Sequence, residues 1–299
     1  MSFAVSSSQR ENIPLALILA LIGMSAFTPI FAAGKLAGGL MPVAVLVWLR
    51  FAGGAATILC VAGARKMPLH KKLSPLWRLH LLRAICGTGG LACAVYAASV
   101  MPLADATAIG LTKGIFAIGL AGLVLKEVVT GRHWGAGVLS MAGAYLVVRS
   151  AEAVAGGPET AFSGVAAALM SAVFMAAESL IMRYLAQRED TVTILAYVNV
   201  LAALLLTGPV LWLILENGVA LRDLVAFAWL GPLAIVGQAF NISAYRLTGA
   251  ATLAPAYYST VVLSALFGYS VWGEVPGPGA ALGAGLILAG GAVLTLRRG

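Results

Sequence analysis

"LKEVVTGRHWGAGVLSMAGAYLVVR" (Leu125 to Arg149) and "WGEVPGPGAALGAGLILAGGAVLTLR" (Trp272 to Arg297) carry one pattern twice. In each, an acidic residue closes an apolar run, a short loop follows, and a glycine-rich apolar run ends in arginine. Glu127 and Glu274 are 147 residues apart, and Gly143 and Gly290 keep the same offset. "GMSAFTPIF" from Gly23 and "LMSAVFMAAE" from Leu169 repeat at nearly that spacing, 146 residues. Self-similarity at one offset marks a duplicated architecture.

The medium around the two halves follows from composition. Of 299 residues, 61% are hydrophobic and only 10% charged, against about 25% charged in soluble domains. With a mean hydropathy of +0.97, the chain has more apolar surface than a water-soluble fold could cover, so its solvent is largely lipid. Ten segments are long enough to cross about 30 Å of hydrocarbon at about 1.5 Å per residue. They lie near 13–34, 41–63, 79–100, 103–125, 132–149, 161–185, 191–215, 225–246, 250–272 and 279–297. The first is too long for a signal-peptide core and reads as a retained spanning helix. Each half, 1–155 and 156–299, therefore holds five helices. Five is odd, so the second half enters from the opposite side. The expected fold is an all-α integral membrane protein: ten transmembrane helices as two inverted five-helix repeats around a central cavity.

A formal net charge of +8 would suggest nucleic acid in a soluble protein. Here the basic residues cluster between apolar segments, as the positive-inside bias requires. With a cytoplasmic N-terminus, that side holds Arg10, Arg65, Lys66, Lys71, Lys72, Arg78, Lys126, Arg132, Arg183, Arg188, Arg246, Arg297 and Arg298. The other side holds Lys35, Arg149 and Arg222. Both termini are expected inside, with no nucleic-acid partner.

Lys113, in "AIGLTKGIFAIGLAGLVLKE" (Ala108 to Glu127), lies about 15 Å from the entry surface of its segment. Snorkelling cannot bring its ammonium to water from there, and a lipid-facing charge would cost at least about 2.5–3.5 kcal/mol. Lys113 must line a wet cavity, or bond helix-end carbonyls or a carboxylate. The repeat offset aligns Gly110, Lys113 and Ala117 with Tyr257, Thr260 and Ser264, a polar stripe on one helical face. Gln238, Asn241 and Tyr245 form another such stripe, and Ser171, Met175, Glu178 and Met182 a third. These stripes either face a ligand or hydrogen-bond between helices. Glu178 is deep enough to be a proton-carrier candidate, or it pairs with Arg183 or Arg50. Asp105, Glu127 and Glu274 read as structural carboxylates at helix ends. Tyr96, Phe174, Tyr257, Tyr258 and Trp48 offer aromatic faces.

Cys60, Cys86 and Cys93 form no CxxC pair, and His70, His80 and His133 are expected at or near cytoplasmic loops. No metal site, cofactor or disulfide is expected. A phosphate-binding loop, HExxH and GxSxG are all missing from the sequence, which argues against an ATP-driven pump or an enzyme.

"MPVAVLVWLRFAGG" with Pro42, Arg50 and Phe51, the Lys126–Glu127 pair, and Gly273–Glu274 resemble the drug/metabolite transporter superfamily, in chains built from two EamA-type repeats. Overall likeness is greatest to YddG-type exporters of aromatic amino acids. The resemblance implies a ten-helix basket in a bacterial inner membrane that moves a small-molecule substrate by alternating access. It does not cover Lys113, whose role rests on physics. Together these readings suggest an exporter of small zwitterionic metabolites, most of all aromatic or other neutral amino acids, acting as a monomer. Lys113 would meet the carboxylate; Gln238, Asn241, Tyr257 and Thr260 would supply hydrogen bonds; Tyr96, Phe174 and Tyr258 would hold an apolar side chain. The alternatives are a drug or nucleobase transporter of the same fold, and a non-transporting membrane enzyme or receptor. The charge bias is directly testable. Cysteines introduced near residues 8 and 299 should be blocked by a membrane-impermeant maleimide only after the cytoplasmic face is opened.

Overall fold

A chain with this little polar side-chain surface must satisfy its backbone internally, and helices do so within one segment. A computed structural model describes residues 13–64, 74–125, 158–186, 188–247 and 250–295, with scattered positions between 131 and 147. All regular elements among the described residues are helices: α1 (Ile13–Phe31), α2 (Ala33–Ala37), α3 (Val43–Ala64), α4 (Trp77–Val100), α5 (Leu103–Gly110) and α6 (Lys113–Leu125), then α7 (Pro158–Ala186), α8 (Thr191–Glu216), α9 (Leu221–Ala226), α10 (Leu230–Leu247), α11 (Ala250–Trp272) and α12 (Pro278–Thr295). Six stretches among the described residues are long and apolar enough to cross a membrane: Pro14–Ala37, Val43–Ala64, Trp77–Val100, Phe162–Met182, Thr191–Glu216 and Leu221–Ala244.

One expected single helix is broken. The first segment runs on from α1 to α2 through Ala32, whose backbone stays in the right-handed helical region and whose N–H donates to Thr28 O at 3.1 Å. The fourth, expected as one span over 103–125, is α5 and α6 joined through Leu111 and Thr112. At that junction Thr112 N–H donates to Ile109 O at 3.0 Å, Gly114 N–H to Leu111 O at 3.2 Å, and Ile115 N–H to Thr112 O at 2.9 Å. These bonds reach three residues back rather than four, the tighter winding that marks a mid-helix interruption. The Thr112 hydroxyl donates to Ile109 O at 2.7 Å, competing with the backbone for that carbonyl. Apolar periodicity alone does not register such a break. The fifth expected helix falls largely outside the described residues, as do Lys126 and Glu127.

Helices from before residue 150 pack mainly on helices from after it. α1 lies against α10 and α11, α3 against α8 and α10, α4 against α7 and α8, α5 against α11, and α6 against α7. Lipid tails give helices no hydrophobic reason to associate, so close backbone approach matters. α3 and α10 cross at Gly53 and Gly231, where a Cβ on Gly231 would collide with the Gly53 backbone. α4 and α7 cross at Gly89 and Gly90, where added Cβ atoms would sit 3.2 Å from the Phe174 ring and 3.1 Å from Met175. Buried Ile30, Val45, Leu46, Phe51, Val198 and Leu230 fill one interior cluster. Leu204, Leu211, Trp212 and Leu215 on α8 stay exposed, as suits a surface bathed in acyl chains. Gly231→Val overfills the α3–α10 crossing and should lower stability by about 1–3 kcal/mol. Thermal unfolding in detergent, with Gly277→Val in open space as control, checks it.

Candidate functional site

The crossings of α3, α4, α7 and α8 bring charge into the interior. Arg83 Nη2 lies 3.3 Å from Glu178 Oε1, and Arg83 Nη1 donates to Ile194 O at 3.3 Å. Arg50 Nη1 donates to Asn199 Oδ1 at 2.9 Å, and its guanidinium stacks 3.9 Å from the Phe51 ring centroid. Asn199 is in turn anchored by its own amide donating to Leu195 O at 2.7 Å. Both arginines are almost wholly buried, at 3% and 2% exposure. The Glu178 charge also reaches Arg50 and Lys113. Among the described residues, one carboxylate therefore serves three cations from α3, α4 and α6. Gly87 of α4 stands beside it: a Cβ there would make ordinary van der Waals contact with the Glu178 carboxyl carbon at 3.8 Å.

Lys113 is the first residue of α6, directly after the break. The local structure differs from the expected continuous helix. The lysine sits where the backbone changes winding, as at the discontinuous helices that carry transporter sites. It is half-buried, and α6 packs on α7, the helix of Glu178.

The remaining candidates divide. Gln238 and Asn241 share a face of α10, and the side-chain oxygen of each is buried without a hydrogen-bond partner among the described residues. Asn241 lies against Gly23 of α1. Buried acceptors left this way are costly. Thr260 is buried, and its stripe partner Ser264 accepts a hydrogen bond from Thr107 of α5 at 2.9 Å. At Ser264 that stripe joins helices. Phe174 packs into the notch left by Gly89 and Gly90. Tyr96 is exposed, its hydroxyl donating to Ser163 at 3.3 Å, about 14 Å along α4 from Gly87. The side chains of Tyr245, Tyr257, Tyr258 and Arg183 lie outside the described residues.

Several functional contacts escaped the sequence reading. Glu178, expected as a proton carrier or as a partner of Arg183 or Arg50, forms an ion pair with Arg83. Arg83 follows Arg78 and His80 closely, near the start of its apolar run, so the depth reasoning applied to Lys113 does not single it out. His80, expected at or near a loop, is buried in α4. Its Nε2 is 2.7 Å from Glu189 Oε2, and its ring stacks 4.5 Å from that of Tyr197. Ser74 donates its hydroxyl to Glu189 and its backbone N–H to the Tyr197 oxygen at 2.7 Å. Beyond the opposite end of α4, Glu274 pairs with Lys35 and accepts from Leu103 N–H at 3.1 Å. Lys35 also lies 5.2 Å from the Trp272 ring centroid. The Glu274 expectation of a structural role at a helix end agrees with these contacts. Each cluster ties a residue before 150 to one after it, and about 35 Å of α4 separates them.

The shared carboxylate makes an asymmetric prediction. Removing one partner of a buried ion pair costs about 3–5 kcal/mol. Glu178→Gln leaves the buried Arg83 guanidinium without its carboxylate and should incur that loss, whereas Arg83→Met leaves a carboxylate that is 25% exposed and should cost less. Unfolding of both variants and of the double variant in one detergent measures the order.

Comparison with known proteins agrees with this architecture. The chain is 27% identical over 266 residues to the pseudopaline exporter CntI of Pseudomonas aeruginosa, covering 87% of this chain and 88% of that protein. It is 27% identical over 224 residues to the riboflavin transporter of Brucella anthropi, covering 70% of this chain and 75% of that one. A solved crystal structure superposes with a TM-score of 0.61 at 20% identity, over 95% of this chain and 96% of the other, a likeness of fold alone. The EamA-like transporter family matches residues 14–149 and 162–296. This all-helical, multi-pass membrane protein belongs to the EamA-like transporter family.

Proposed function

We propose that the chain is a secondary transporter that exports small carboxylate-bearing metabolites by alternating access. Its ten transmembrane helices form two inverted repeats, 1–155 and 156–299, in a bacterial inner membrane with both termini cytoplasmic. The protein works as a monomer. The observation that carries this reading is Lys113, placed at the break between α5 and α6 and within the field of Glu178 on α7. A cation at an interrupted helix, facing the other half of the chain, can be reached from either side as the halves move.

Lys113 takes the substrate carboxylate. Gln238 and Asn241, with their buried unpartnered oxygens, take a substrate N–H or ammonium. Tyr257, Tyr258 and Thr260 complete the polar wall, and Tyr96 and Phe174 contribute aromatic surface nearer one mouth. Aromatic and other neutral amino acids are the smallest ligands that satisfy all of these, as in YddG-type exporters. A relative named as a riboflavin transporter supports a second reading, a carrier of larger heteroaromatic metabolites. Competition by amino acids, nucleobases and flavins against one another in proteoliposomes separates the two.

Opening of either mouth breaks its own contact, Lys35–Glu274 at one end of α4 or His80–Glu189 at the other. Glu178 couples a proton to export if a pH gradient alone concentrates substrate; equilibration without concentration assigns it a structural role. Lys113→Ala should cut amino-acid counterflow in proteoliposomes at least tenfold while leaving the melting temperature within a few degrees. Wild-type flux in that variant would remove Lys113 from the site.

A further inference from the structure

The Lys35–Glu274 ion pair joins the two halves: Lys35 is on α2, and Glu274 lies between α11 and α12. Solvent reaches it, since the two side chains are 24% and 16% exposed. Gly38, Gly39 and Gly273 flank the pair in the chain, and a Cβ on any of them would meet nothing within 4 Å among the described residues. Asp105 of α5 lies within the field of both ions but is buried, so the carboxylate that a solute meets is that of Glu274.

Each ion also has a second contact that does not depend on the other. Glu274 Oε2 accepts from Leu103 N–H at 3.1 Å, at the start of α5, where the helix dipole favours an anion. Lys35 Nζ lies 5.2 Å from the Trp272 ring centroid, a cation–π contact. Phe267 meets that ring edge-on, with centroids 5.8 Å apart. When this mouth opens, each ion keeps its second contact and loses its opposite charge. A solute with one charge replaces one lost partner. A zwitterion replaces both, its carboxylate on Lys35 and its ammonium on Glu274. An aromatic side chain on that zwitterion reaches Trp272, since aromatic pairs form at about 4.5–7 Å between centroids.

Resting on the transporter reading above, we infer that Lys35, Glu274 and Trp272 form an exit subsite in which an aromatic amino-acid zwitterion inserts into the ion pair. The substrate replaces the contact that its passage breaks, and neither ion is left without an opposite charge. The subsite is distinct from the Lys113 site: Leu103, which Glu274 holds, is about 15 Å of helix from that lysine. It selects for two opposite charges on one solute.

Three ligands with one phenyl ring separate the charges: phenylalanine, 3-phenylpropionate without the ammonium, and phenethylamine without the carboxylate. Binding is read as thermal stabilisation of the purified full chain in detergent, on a Lys113→Ala background that removes the central carboxylate contact. Phenylalanine should bind about tenfold tighter than either singly charged ligand, the order expected for one hydrogen bond to a charged group. Adding Lys35→Gln should erase its advantage over phenethylamine and keep that over 3-phenylpropionate. Adding Glu274→Gln should do the opposite, and Lys35→Arg should keep both advantages. No binding on that background, equal binding of the three ligands, or advantages that neither variant erases would overturn the inference. So would a shift of all three affinities together, the mark of a purely structural tie. Counterflow by the wild-type chain in proteoliposomes is measured alongside. Charge-selective binding with no counterflow of any ligand upholds the subsite and removes the transporter reading. Phenylalanine counterflow without the reciprocal losses does the reverse.

Discussion

One carboxylate shared by cations on three helices is the constraint around which the interior is arranged. Glu178 meets Arg83 directly and acts on Arg50 and Lys113 at longer range. In water such an arrangement would be worth little, because solvent screens each pair. Inside a membrane protein the same charges cannot be left without partners, so the helices carrying them must stay in register. The geometry agrees. Arg50 is clamped by Asn199 of α8 and by its neighbour Phe51. Arg83 reaches both α7 and the Ile194 carbonyl of α8. The polar cluster thus does for α3, α4, α7 and α8 what a hydrophobic seam does in a soluble bundle, with a penalty for misalignment that apolar packing lacks.

Around this centre, the contacts that hold the halves together differ in kind by depth. In the interior they are glycine crossings, Gly53 against Gly231 and Gly89–Gly90 against Phe174 and Met175. Such surfaces have little side chain to interlock, so small displacements meet few steric barriers. Toward the two ends of α4 they are polar: Lys35 and Leu103 with Glu274, and Ser74 and His80 with Glu189. Polar contacts near water exchange for hydration at modest cost. A bundle with smooth crossings inside and exchangeable ties at both ends is suited to rocking, which the proposed transport cycle requires.

The break at Leu111–Thr112 belongs to the same logic. Carbonyls and N–H groups released from regular winding are tolerated within a membrane only where protein or a wet cavity surrounds them. Here three-residue bonds and the Thr112 hydroxyl satisfy part of the set, and α6 packs on α7. Family membership adds the general activity and not the ligand, because relatives named for pseudopaline and for riboflavin share the architecture. Ligand choice in such a fold resides in a few side chains around one site.

By itself the sequence determined the solvent, the helical class and the repeating pattern. These depend on composition and on residues spaced along one chain, so hydropathy and a fixed offset suffice to read them. It also singled out Lys113 and Glu178, because a charge within an apolar run is conspicuous without any partner in view. Tertiary structure alone decided which charges meet. Arg83 pairs directly with Glu178, since α4 crosses α7 where glycines let the backbones approach. The Thr260–Ser264 stripe looked like a cavity wall, yet Ser264 is taken up by Thr107 of α5. The interruption before Lys113 was likewise invisible, because local hydrogen bonds and packing by α7 outweigh the apolar period that predicts one continuous helix. Contacts between residues far apart in the chain leave no periodic trace in it, and this site is made of such contacts.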